Sequence, residues 1–101
     1  MGNQTLEEAI QDYKDFNMDF VNIQDAVLPE QLQSISDYFN ASGIEKFTFS
    51  ADQTGMASIF ATLKNLGWEY VDVVDVKNIS LLKVAKMESY RKAFLFKKIG
   101  G

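Results

Sequence analysis

Between residues 46 and 76 the spacing of apolar side chains changes from two to about 3.6 and back to two, a pattern that predicts strand, helix and strand in succession. Phe47 and Phe49 alternate with Thr48 in the stretch from Lys46 to Ser50. Ser50 or Asp52 then stands where a helix cap is needed. The helix should run from about Gln53 to Leu66, with Met56, Ile59, Phe60 and Leu63 turned inward and Gly67 ending it. Trp68 to Val76, aromatic and β-branched, reads as the second strand, and Arg91 to Ile99, built around Ala93-Phe94-Leu95-Phe96, as a third.

Upstream, Thr5-Leu6-Glu7-Glu8 has the form of a capping box, in which Thr5 accepts from the N–H of Glu8 and the Glu8 carboxylate reaches back. Leu6, Ala9, Ile10, Tyr13, Phe16, Phe20, Ile23 and Val27 follow at intervals of three and four, one apolar stripe that predicts a single long helix packed on its own core. Pro29 suits the first turn of a second helix, with Leu32, Ile35 and Phe39 buried and Gly43 as its stop. The two helices form an αα-hairpin with a short joint near Val27 and Leu28. The fold class is α+β in the order ααβαββ. The αα-hairpin and a third helix pack on a small three-stranded mixed sheet of residues 46–50, 68–76 and 91–99, within one domain spanning 1–101. Residues 77 to 90 fit neither period, and the expectation there is a long irregular hairpin connection, although Asn78 has the chemistry of a helix cap.

Composition limits what such a domain does. The chain has 101 residues with no Cys and no His, so the usual ligands for zinc, copper and haem, the thiol nucleophile and the neutral-pH proton shuttle are all missing. No aspartate-rich loop of EF-hand spacing compensates, and no cofactor or metal is expected. No stretch approaches the roughly 18 apolar residues that span a bilayer, and the N-terminus has no basic start followed by an apolar run, so the expectation is a cytoplasmic protein with no membrane partner. Met1-Gly2-Asn3-Gln4-Thr5-Leu6 begins like an acylation signal but has Leu6 where Ser or Thr belongs. For catalysis the nearest candidates are Asp52, Thr54 and Ser58 at a helix start and Asp72 with Asp75 on a strand. Thr54-Gly55 near a helix N-terminus could bind an anion, but no glycine-rich phosphate loop stands there, Asp52 is explained as a cap, and the second pair projects to opposite faces, so the chain is read as not an enzyme.

Charge is sorted along the chain. Residues 1–45 carry nine carboxylates against Lys14, a balance of -8, whereas residues 77–101 carry seven cations against Glu88, a balance of +6. Antiparallel pairing of the last two strands would place Glu69 near Lys97 or Lys98 and Asp75 near Arg91 or Lys92, which accounts for part of the basic excess. A nucleic-acid reading uses Lys83, Lys86, Arg91 and Lys92 on phosphates and Tyr90 for stacking, against an overall pI of about 4.6. The mirror reading makes Glu8, Asp12, Asp15 and Asp19 one row of carboxylates on the first helix, an acidic imitation of nucleic acid. Gly100-Gly101 resembles the tail of ubiquitin-like modifiers, but those folds open on a hairpin, and a frayed end explains it.

Phe47-Thr48-Phe49-Ser50, Asp52-Gln53-Thr54-Gly55-Met56, Leu66-Gly67-Trp68 and Ala93-Phe94-Leu95-Phe96 resemble a family of small uncharacterised proteins encoded on plasmids, conjugative elements and phages of Gram-positive bacteria. The resemblance covers residues 44 to 98. It implies an accessory setting, in which binding a host or element-encoded protein is the expected role, and carries over no site residues. The expected function is therefore a noncatalytic protein-interaction module, an accessory or inhibitor whose partner is an unidentified protein or a second copy. Its surface is expected at Leu81, Leu82, Lys83, Val84, Lys86 and Met87, where apolar and cationic side chains lie together without a place in the core.

Overall fold

The computed structural model describes residues 6–23, 29–50 and 56–99, and the fold is α+β with four helices and a four-stranded mixed sheet. In chain order the elements are α1 (Leu6–Asp15), β1 (Val21–Ile23), a 3-10 turn (Pro29–Gln31) leading into α2 (Leu32–Ala41), β2 (Lys46–Ser50), α3 (Met56–Asn65), β3 (Trp68–Lys77), α4 (Ile79–Ala85) and β4 (Tyr90–Lys98). The strands lie in the order β1-β2-β4-β3, with β1 and β2 parallel and the other two pairs antiparallel.

Two differences from the expected ααβαββ order have local causes. The long first helix stops at Asp15 because Asn17 takes a left-handed conformation (φ 50°), and Met18 N–H closes the end by donating to Tyr13 O at 3.0 Å. Asparagine accepts that conformation more readily than other residues with a side chain, since its short polar group stabilises it locally. Beyond the stop, Phe20 and Ile23 keep the helical spacing of the stripe, but Val21 and Ile23 are β-branched and two apart, and they pair with Phe47 and Phe49 as β1. The predicted αα-hairpin is therefore replaced by a β1-α2-β2 crossover, and its proposed joint at Val27 and Leu28 lies outside the described residues.

The second difference is α4, which occupies the segment read as an irregular connection. Asn78 does act as a cap: its side chain accepts from Leu81 N–H, and its own N–H donates to Ser89 O at 2.8 Å, closing the base of the excursion. At seven residues the helix is too short to express a period. By contrast, Gly43 and Gly67 end α2 and α3 with φ of 74° and 97°. Ile44 N–H donates to Phe39 O at 2.9 Å across the Gly43 turn.

One face of the sheet carries the aromatic core. Phe47 and Phe49 from β2 and Phe96 from β4 meet Leu32, Ile35 and Phe39 of α2 and Ile59 and Leu63 of α3, all buried. The Phe47 ring is central, with centroids 5.0 Å from Phe39, 4.8 Å from Trp68 and 5.8 Å from Phe96. Trp68 donates from Nε1 to Ser36 Oγ at 2.9 Å, so its one polar atom is satisfied inside. Phe60 stacks on Tyr70 at 5.0 Å and extends this layer toward the β3 edge.

The opposite face buries Ala93, Leu95 and Val76 beside a polar group of Asn22, Thr48 and Ser50. Thr48 Oγ1 lies 3.2 Å from Val21 O and 2.8 Å from Asn22 Oδ1 and has one proton to give. With the Asn22 amide turned, that proton goes to Val21 O, while the Asn22 nitrogen, otherwise unpartnered, donates to Oγ1. Ser50 does not cap α3: its hydroxyl is buried without a hydrogen-bond partner, and Asp52 lies outside the described residues.

Candidate functional site

α4 and the turn after it stand out because their apolar side chains remain in solvent. Val84 is 86% exposed, Met87 57% and Leu81 37%. The six residues singled out in the sequence divide by direction. Ile79, buried, and Leu82, half-buried, face the body of the protein, whereas Leu81 and Val84 face outward. Lys86 is exposed and holds the left-handed position (φ 57°) that ends the helix, with its N–H donating to Leu82 O at 3.2 Å.

Lys83, itself exposed, reaches across to α1. Its Nζ lies 2.9 Å from Asp12 Oδ1 and 3.8 Å from Glu8 Oε2, and 6.0 Å above the Phe16 ring. The hydrogen bond to Asp12 raises the lysine pKa above 10.5, with partial burial opposing and the charges of Asp12, Glu8 and Asp15 assisting. Lys77 grips the same end of α1 by donating to Phe16 O at 3.2 Å. α4 is thus tied to α1 by a lysine on a carboxylate that is itself buried.

This contact changes the chemistry of the surface. The sequence placed apolar and cationic groups together, but folding brings α1 alongside, and the groove between the helices is lined by Glu7, Glu8, Gln11, Asp12, Asp15 and Lys83 in a volume of about 420 Å³. Four carboxylates face one ammonium, which is committed to Asp12. No spacing rule could have paired residues 12 and 83. The only sign in the sequence was the opposite charge of the two ends.

The other charged features also find internal partners. Glu69 stands opposite Lys97 (3.7 Å) and Asp75 opposite Lys92 (2.9 Å), two of the cross-strand pairings expected from antiparallel register. Arg91 is likewise engaged. Of the residues a nucleic-acid site would use, Lys83 and Lys92 are therefore paired, while Lys86 and Tyr90 are exposed. The expected row of four carboxylates on the first helix is broken, because Asp12 is buried and Asp19 follows the Asn17 stop. Asp72 and Asp75 do fall on opposite faces, opposite Leu95 and Lys92. Thr54 and Gly55 lie outside the described residues.

A second exposed apolar strip lies on the edge strand β3, at Tyr70, Val71 and Val73. It is guarded by a bulge between Tyr70 and Asp72 and by the Asp72 carboxylate, which accepts from Val73 N–H at 2.8 Å. α4 has no comparable guard on its outer face.

Among the described residues, no group of three acidic side chains is placed to hold a metal ion, and no helix is long and apolar enough to cross a membrane. No curated protein and no solved structure matches the chain. Residues 5–98 match a family described as Domain of unknown function (DUF7698), which covers every element from α1 to β4, and the chain belongs to that family.

Proposed function

We propose that this protein is a noncatalytic interaction module that docks another protein on the outer face of α4 and the turn that follows. Leu81, Val84 and Met87 make the contact, Lys86 lies at its rim, and Leu82 and Lys83 hold the helix in place. The observation that carries the reading is the exposure of Val84, 86%, on a short helix whose other side is anchored to the body. Exposed apolar side chains on an anchored element give a partner a surface that needs little ordering on binding. The resemblance to proteins of plasmids, conjugative elements and phages supports an accessory or inhibitory role in such a setting.

The test is affinity capture from a host lysate, with and without nuclease, comparing the native chain with a Leu81→Ser/Val84→Ser/Met87→Ser variant of unchanged thermal stability. A protein captured in both treatments by the native chain and lost with the variant supports the module. Capture that disappears with nuclease moves the function to nucleic acid, and capture indifferent to the three substitutions removes α4 from it.

A further inference from the structure

The two sides of α4 suggest what kind of partner fits. Lys83 is the α4 residue that lines the groove with α1, and Ser80 and Val84 follow it round the helix on one flank, about 60° and 100° away. A segment lying along that flank meets the exposed apolar surface of Val84 on one side. On the other it meets the carboxylates of Glu7, Glu8 and Asp15. Glu7 and Asp15 are on the exposed side of α1, and Asp15 is held in position by Gln11, whose Nε2 donates to it at 2.7 Å. Lys83 offsets only part of this field: its amine is hydrogen-bonded to Asp12 at 2.9 Å and lies 3.8 Å from Glu8, one positive charge against four carboxylates.

We propose that the partner presents a basic amphipathic segment, with its cations over the α1–α4 groove and its apolar side against Val84; this rests on α4 being the docking element. The net charge of -4 acts in the same direction, since a chain with that balance attracts a cationic segment from a distance. A second copy of the chain is a poor source of such a segment. Its basic strand β4 has Lys92 and Lys97 committed to Asp75 and Glu69 within the same molecule.

The experiment is a fluorescence-anisotropy titration with two labelled helical peptides of about five turns, one with leucine on one face and lysine on the other, the second with glutamate in place of lysine. The proposal expects the lysine peptide to bind at least about 10-fold more tightly than the glutamate peptide, with affinity falling as salt rises. The Glu7→Gln/Asp15→Asn variant should lose about 5-fold or more for the lysine peptide, and Val84→Ser a similar amount, the melting midpoint of each variant being checked first. Loss with Val84→Ser, but equal binding of the two peptides and no effect of the neutralised pair, leaves α4 as the docking element and overturns the basic partner. Binding that follows charge yet ignores Val84→Ser means attraction to an acidic protein without docking, and it overturns the proposal together with the reading it rests on.

Discussion

Lys83 of α4 holds the buried carboxylate of Asp12 on α1 at 2.9 Å, joining two helices that are 71 positions apart at these residues. The pair lies between the two usual regimes, since the Asp12 side chain is 9% exposed and the Lys83 side chain 42%. A fully buried pair that loses one partner costs about 3 to 5 kcal/mol, and a fully exposed pair contributes about 0 to 1. Lys83→Met should therefore destabilise by about 1 to 2 kcal/mol once solvent screening of the exposed amine is allowed for.

The pH dependence of that loss has a definite sign. The folded state raises the lysine pKa above its ordinary 10.5, so the protonated form is favoured by folding. The stabilisation is fully present below the ordinary lysine value and disappears as pH rises through the raised one. Urea unfolding of the native chain and Lys83→Met should differ by a constant amount from neutral to mildly alkaline pH and converge only in the strongly alkaline range. Convergence below pH 10.5 would mean that some other group supports α4.

Among the described residues, Asn17 and Lys86 are the two with side chains in left-handed backbone. Glycine reaches that conformation without the Cβ penalty of about 1 to 2 kcal/mol, which asparagine partly escapes and lysine does not. Net of the flexibility that glycine adds to the unfolded chain, Lys86→Gly should raise stability by about 1 kcal/mol, with a smaller gain for Asn17→Gly because asparagine carries less of the penalty to begin with. Thermal melts of the two variants check the order.

These positions also show what the sequence could and could not disclose. Gly43 and Gly67 were legible as helix stops because glycine is the common residue there, and β2, α3 and the partners of Glu69 and Asp75 followed from period and register. Asn17 was not legible as a stop, since the apolar spacing of Phe16, Phe20 and Ile23 continues through it. β1 has three residues, too few for a strand period to appear, and exists because β2 offers an edge beside it. At α4 the cap at Asn78 was recognisable, but the sign of the neighbouring field was not. That sign is supplied by α1, folded against Lys83 from the far end of the chain.

Ser36 accepts the Trp68 Nε1 hydrogen at 2.9 Å in the core, where both side chains are buried. Replacing the hydroxyl leaves an indole donor with no water to turn to, and an unmet buried group of this kind costs about 1 to 3 kcal/mol. Ser36→Ala should lower stability by that amount, while Ser34→Ala, at an exposed position on the opposite side of α2, should change it by less than about 0.5 kcal/mol. Trp68 is the chain's sole tryptophan, so its emission reports the unfolding of both variants directly.

Asp72 is exposed on the edge strand and accepts from the N–H of its neighbour Val73 at 2.8 Å. It interrupts the run Tyr70-Val71-Val73-Val74 with a charge and occupies a donor that another strand would otherwise use. Asp72→Val would remove both protections and leave five consecutive residues of high β-propensity along an open edge, a combination that favours strand-to-strand association. The expected result is concentration-dependent self-association in size-exclusion chromatography with light scattering. Asp72→Asn, which keeps an acceptor oxygen but loses the charge, should fall between the native chain and the valine variant. If the valine variant elutes like the native chain at every concentration, the bulge at Val71 is sufficient to close the edge without the carboxylate.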